Sequence, residues 1–196
     1  MTQTVTFIYD DPTLARQAVD ALEEAGFTSD EISVVRQDEN NEYVTDGDPV
    51  SDGATTGASL GLAAGAGAGL LASLGLIAIP GIGPLVAAGV LATTLAGAAA
   101  GAVGGGLVGA LIDYGVSEED APILAENLRR GGTLVSVRTD NARLRDAELI
   151  VQRYSPVDVR ERETTYRGEG WTGYDPDAPV YTPEERDAER RRYGSF

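Results

Sequence analysis

The sequence predicts an α+β protein: a ferredoxin-like βαββαβ sandwich, interrupted by an uncharged Gly/Ala-rich helical hairpin and followed by an extended aromatic C-terminal tail. Three observations predict it. Strand–helix–strand patterns occur twice in the 196 residues, at 4–35 and again at 133–159. Between them, residues 53–112 carry no charge, in a chain that is 23% charged. Half of the Phe, Tyr and Trp residues lie in 164–196.

The first half begins with a strand, in which Val5, Phe7 and Tyr9 alternate with Thr4, Thr6 and Ile8. Asp11-Pro12 places a helix N-cap beside a proline suited to the first helical position. Leu14, Ala18, Ala21, Leu22 and Ala25 follow at helical spacing, and Gly26 stops the helix. Ile32–Val35 is the second strand. Asn40-Asn41 and Asp46-Gly47-Asp48-Pro49 mark an acidic linker, so the first unit spans 1–56.

The unit at 113–163 has matching parts. Ser117-Glu118-Glu119-Asp120 resembles a capping box, with Asp120 an alternative cap. Ala121, Leu124 and Leu128 give the apolar stripe, and Gly131-Gly132 ends the helix. Thr133–Val137 is a strand. Asp140 caps a further helix with Leu144, Ala147, Val151 and Tyr154 on one face. Val157-Asp158-Val159 is a short last strand. Neither half covers its apolar sheet face alone, so the two combine as four antiparallel strands with two helices on one face.

Composition excludes much chemistry. The chain has no His and no Cys, and all 15 basic residues are Arg. Ser-His-Asp triads, Cys-His pairs, Ser-Lys dyads, Schiff bases, the P-loop lysine and structural zinc sites are therefore out of reach. No catalytic residue, cofactor or metal is expected. A net charge of −16 argues against nucleic acid, where phosphate contacts need basic patches. The first residues lack the basic and apolar regions of a secretory signal. The Lys-free acidity fits either a salty cytoplasm or a genome rich in G and C.

The charge is uneven. Residues 1–56 hold 13 acids and 2 Arg, and 57–112 hold none. In that neutral block Pro80-Gly81-Ile82-Gly83-Pro84 forms a turn between arms 57–79 and 85–112. As helices these would run roughly 35 and 42 Å, beyond the roughly 30 Å of a bilayer core. Gly57, Gly61, Gly65, Gly69 and Ser73 fall every fourth residue, as do Gly89, Thr93, Gly97, Gly101, Gly105 and Gly109. Each row is a side-chain-free groove, the extended small-xxx-small pattern of close helix packing.

Three environments would hold such a hairpin: a membrane, a core shared among copies, or its own domain. The third is disfavoured, because the small sandwich lacks surface for both arms. In a membrane both flanks emerge on one side, but no aromatic belt brackets the spans and Tyr114 alone lies near an edge.

The order and wording of these segments resemble the general stress protein 17M-like (heat-induced stress protein) family and related Gly-rich proteins labelled as membrane proteins. The matching pieces are Phe7–Asp11, Ala18–Leu22 through Ala25-Gly26-Phe27, Ile32–Val35, Ile79–Pro84 and Arg129-Arg130-Gly131-Gly132-Thr133-Leu134-Val135. The resemblance covers about 5–159 and implies a stress-induced, non-enzymatic protein with no catalytic residues to carry over.

Weaker motifs have plainer explanations. Gly104–Gly109 fits GxGxxG but follows a helix pattern and lacks a later acidic ribose partner, so it reads as helix-packing glycine. Asp46, Asp48 and Asp52 resemble a calcium loop in composition, yet Pro49-Val50 interrupt it and no bidentate Glu closes it.

The tail, 164–196, is expected to take an extended path with a short charged helix starting at Thr182-Pro183-Glu184-Glu185. Tyr166, Trp171, Tyr174 and Tyr181 make it too aromatic for a purely disordered segment. They are expected to dock on a neighbouring subunit or along the chain's own sheet.

Together these readings give a non-enzymatic stress-response protein whose glycine-zipper hairpin is a two-helix membrane anchor and associates with other copies. It would lie at the cytoplasmic face of the cell membrane, with itself and lipid as partners. The alternatives are a self-assembling structural protein in the cytoplasm, with hairpins as the core of an oligomer, filament or shell, and a small-ligand regulatory module.

Overall fold

The computed structural model describes residues 2–37, 75–79, 83–100, 106–179 and 181–193. Strands are β1 (Thr2–Tyr9), β2 (Ile32–Gln37), β3 (Gly75–Ile79), β4 (Gly83–Ala88) and β5 (Thr133–Asp140). Helices are α1 (Pro12–Glu24), α2 (Val90–Ala100), α3 (Gly106–Tyr114), α4 (Ala121–Arg129), α5 (Asn141–Val151), α6 (Val159–Gly168) and α7 (Pro183–Tyr193). The fold is mixed α+β, with one antiparallel sheet in the order β1-β5-β2-β4-β3.

Local chemistry places several boundaries. Asp11 accepts a hydrogen bond from Thr13 N at 2.7 Å and starts α1. Asp140 does the same for α5 by accepting from Ala142 N and Arg143 N, and Asp158 for α6 by accepting from Arg160 N and Glu161 N. Thr182 and Glu185 form a reciprocal capping box at α7.

The sheet is covered on both faces. On one, Phe7, Tyr9, Ile32, Val34, Val135 and Val137 pack on α1 and α5 through Ala15, Ala18, Val19, Leu22, Ala147 and Val151. On the other, Ile8, Val35, Leu85 and Leu134 pack on Leu91 and Leu95 of α2, Leu107 and Leu111 of α3, and Leu124 and Leu128 of α4. Adjacent residues of one strand point to opposite faces, so two-sided covering explains why Ile32–Val35 and Thr133–Val137 are buried without a break.

The neutral block therefore differs from the expected hairpin of two long helices. Among its described residues, Gly83–Ala88 is a strand, Val90–Ala100 is α2 and Gly106–Tyr114 is α3, and Gly75–Ile79 pairs antiparallel with Gly83–Ala88, widening the sheet. Gly83 and Pro84 are the first residues of β4, opposite Ile79 and Ala78. Burial in the chain's own core, the disfavoured environment, is where the described Leu85, Leu91, Leu95, Leu107 and Leu111 go, completing the second face. Among the described residues no helix is long and apolar enough to cross a membrane. Gly57, Gly61, Gly65, Gly69, Ser73, Pro80, Gly81, Gly101 and Gly105 lie outside the described residues, as does the acidic linker with Asp46, Asp48 and Asp52.

Two smaller differences concern the second half. The expected last strand at 157–159 is a single antiparallel bridge between Val157 and Ile8, because Asp158 caps α6 and Val159 begins it. The boundary drawn at 163/164 falls inside α6, so Tyr166 is helical.

A buried polar contact locks the inserted layer to the sheet. Ser33 Oγ accepts from Leu91 N at 3.1 Å and lies 3.0 Å from Tyr114 Oη. Gly89, at φ +82°, makes the turn from β4 into α2 directly against this serine. A Cβ there would stand 2.2 Å from Ile32 O and 2.6 Å from Ser33 Oγ, so the position requires glycine.

Candidate functional site

A dense cluster of charged and aromatic side chains lies where the C-terminal end of α4 meets the tail. Helix α4 buries an apolar stripe, yet its last turn brings Glu126, Asn127, Arg129 and Arg130 inside, with Arg129 and Arg130 only 8% exposed. Charges so placed require partners, since desolvation costs several kcal/mol per ion. Glu126 accepts from Arg129 Nε at 2.9 Å, Arg129 Nη2 at 2.6 Å and Arg130 Nε at 2.7 Å. The i,i+3 and i,i+4 spacing on the helix makes this possible.

The remaining guanidinium donors reach the tail. Arg130 Nη1 donates to Glu169 Oε2 at 2.8 Å and to Glu189 Oε1 at 2.9 Å. Its guanidinium carbon lies 3.9 Å from the Tyr166 ring centre, a cation–π contact. Arg129 Nη1 donates to Pro179 O at 2.9 Å, and Tyr181 sits 4.8 Å from its guanidinium. One side chain of α4 thus holds the extended segment, and its neighbour holds α7.

Helix α7 returns a buried arginine. Arg186 Nη1 donates to Gln37 Oε1 at 2.7 Å, and Gln37 Nε2 donates to Arg129 O at 2.9 Å. Arg162 donates to Asp10 and lies 4.2 Å from the Tyr193 ring, while Tyr193 Oη donates to Glu169. The tail therefore reaches the end of β2 at Gln37 and the turn before β5 at Gly131, where a Cβ would stand 3.0 Å from the Arg186 side chain, while Arg162 of α6 reaches Asp10 after β1. A Cβ on Gly132 would lie 2.0 Å from Asn127 Oδ1, which is why the run after Arg130 ends in glycine.

Electrostatics follow from this geometry. Burial would raise the Glu126 carboxyl, but hydrogen bonds and charge from Arg129 and Arg130 outweigh it and hold the pKa below the usual range. Glu169 is likewise held low against its burial, by Tyr193 and Arg130. Arg130 is raised, its acceptors outweighing burial. Burial pushes the Tyr166 hydroxyl up to about 12. It also raises Asp10, despite the Arg162 beside it. Tight packing has a cost: Asn127 Oδ1, Arg162 Nη1 and Trp171 Nε1 are buried without a hydrogen-bond partner.

The expected tail residues meet here. Tyr166 is fully buried, Trp171 packs edge-to-face on it at 6.1 Å, Tyr174 packs against the second-face core, and Tyr181 lies on Arg129. The described glycine-row residues do not converge. Among the described residues, Gly97 and Gly109 would meet nothing within 4 Å on gaining a Cβ, so neither is a helix-contact glycine there. Thr93 Oγ1 donates to its own helix at Val90 O. Sequence reasoning placed no role on Glu126, Gln37, Arg162, Glu169, Arg186 or Glu189. The available signal was Arg129-Arg130 ending an apolar helix, with Glu126 one turn before.

A cleft of about 400 Å³ beside α7 is lined by Pro12, Pro183, Arg186, Asp187 and Arg190. Its charged groups are engaged, Arg186 with Gln37 and Arg190 with Asp187. Among the described residues no group of three or more His, Cys, Asp or Glu is placed to hold a metal ion. The cluster is chemically suited to fastening: guanidinium forks, carboxylates and aromatic faces all spent on holding chain to chain.

Protein-family models, curated proteins and solved structures, each compared with the chain, gave no match.

Proposed function

We propose that this chain is a non-enzymatic structural protein that associates with copies of itself, and that its tail is fastened over the sheet end to keep each copy closed. The bridge at Val157, β1, β5 and β2 make up a ferredoxin-like core with its fourth strand reduced to one pair. The observation that carries this reading is the Arg129–Arg130 cluster: the polar groups best placed to converge on a ligand are ion-paired to the chain's own tail. The stress setting rests on the sequence resemblance alone.

Light-scattering mass across a concentration series tests the proposal. A mass rising above one chain supports it, and a single-chain mass at every concentration up to about millimolar opposes it. An alkaline wash of a cell membrane fraction tests the anchor reading, whose remaining arm, 57–74, lies outside the described residues. Protein left in the washed pellet would favour that reading over this one.

A further inference from the structure

We propose that the open edge of β1 pairs with β1 of a second copy, antiparallel and centred on Thr4, to form a two-fold dimer. The inference deepens the self-association reading, on which it rests, by naming its surface.

The direction of backbone groups defines the edge. Val157 N–H donates to Ile8 O at 2.8 Å, on the side of β1 away from β5. Backbone groups two residues apart in a strand point the same way, so Thr6, Thr4 and Thr2 also turn N–H and C=O away from β5. Among the described residues no backbone group bonds them on that side. Thr2 and Gln3 are exposed, and Thr4, Val5 and Thr6 are half-buried.

Charge identifies the partner. Copies carrying −16 each repel one another wherever acids face acids. Natural edge strands usually carry a charge, a proline or a bulge that discourages pairing. Thr2–Tyr9 carries neither charge nor proline, and its pairing with β5 runs without a skipped residue. A neutral edge on an acidic protein is a place where two copies can approach.

The sequence of the edge is self-complementary, as a two-fold contact requires. Centred on Thr4, the pairing sets Thr4 opposite the partner's Thr4, Thr2 opposite the partner's Thr6, and Gln3 opposite the partner's Val5. Every opposed pair is Thr–Thr or Gln–Val, with no like charges facing. Thr2, Thr4 and Thr6 are the residues whose outward groups exchange bonds. The ladder stops short of Ile8, whose carbonyl belongs to Val157.

The chain has no cysteine, so a single introduced thiol reports the register. Directly opposed Cα atoms in a hydrogen-bonded antiparallel pair stand about 5.5 Å apart, within disulfide range. Two residues at position 3 would stand out of register and beyond it. Full-length Thr4→Cys and Gln3→Cys are oxidised with glutathione disulfide, and covalent dimer is read on a non-reducing gel. Thr4→Cys is expected to cross-link about tenfold faster. In parallel, Thr2→Pro removes one outward N–H at an exposed strand end; it is expected to weaken the dimer several-fold in sedimentation, roughly the worth of two hydrogen bonds, with an unchanged melting curve. Equal cross-linking of the two cysteine variants, with a dimer still seen in sedimentation, would overturn this surface and leave self-association standing. A wild-type chain monomeric at every concentration would overturn both.

Discussion

The Arg130 guanidinium lies 3.9 Å from the centre of the Tyr166 ring, and both side chains are buried. Around that contact Arg130 also bonds Glu126, Glu169 and Glu189, carboxylates from α4, from the residue after α6, and from α7. Removing one partner of a buried pair costs about 3–5 kcal/mol. Arg130→Ala should fall at the low end, about 3 kcal/mol, because Arg129 stays on Glu126. Urea unfolding measures it, and a loss under about 0.5 kcal/mol would mean the ion pairs stabilise little. Arg130→Lys should recover only part, since an ammonium cannot reproduce the planar fork that reaches three carboxylates and a ring face.

Acid should loosen the tail. Glu126 and Glu169 have folded-state pKa values below the ordinary 4.5. A depressed carboxyl pKa gives stability present above the unfolded value and lost as pH falls through the folded value. The fastening is thus intact at neutral pH and weakens below about 4.5. Asp10 runs the other way: its pKa is raised, so acidification relieves a cost at that position. Trp171 is the single tryptophan and packs on Tyr166, so its emission reports the tail. Its change should precede loss of far-UV ellipticity, and an emission constant through that acid range would contradict the assignment.

Glycine substitutions separate two accounts of the neutral block. Gly89→Ala meets Ile32 O and Ser33 Oγ from a positive φ, and should cost about 2 kcal/mol or more. Gly97→Ala and Gly109→Ala meet nothing among the described residues and should gain up to about 1 kcal/mol of helix propensity. A glycine zipper would give the reverse at 97 and 109. Thermal melts of the three variants decide between them.

Ser33 tests the docking of the inserted layer. Ser33→Ala leaves the buried Leu91 N–H without its acceptor and Tyr114 Oη without its neighbour. Such a loss costs about 1–3 kcal/mol. Amide exchange should rise first in α2, and exchange rising equally in α1 would contradict the local role.

What the sequence revealed depended on contrast between neighbouring residues. The first strand, α1 and β5 were readable because Asp11, Gly26, Asp140 and alternating Thr and apolar residues mark ends and faces. The neutral block lacked that contrast. Leu, Ala and Gly fit a buried strand or a buried helix equally well, and periodicity alone cannot separate short apolar runs. Leu85 therefore read as helical when it lies in β4, and Gly89 read as one of a row when it is a turn. The aromatic tail was legible as a docking segment, but its anchors were not. Arg130 meets Glu169 and Glu189, and Arg129 meets Pro179 and Tyr181, only after the chain has folded, and no local spacing encodes those meetings.

The most direct measurement is amide exchange in α7, residues 183–193, compared between wild type and Arg130→Ala. If the cluster fastens the tail, α7 is protected in the wild type and loses that protection in the variant, while β5 keeps its own. Exchange in wild-type α7 at the rate of an unstructured peptide, or protection unchanged by Arg130→Ala, would contradict the account.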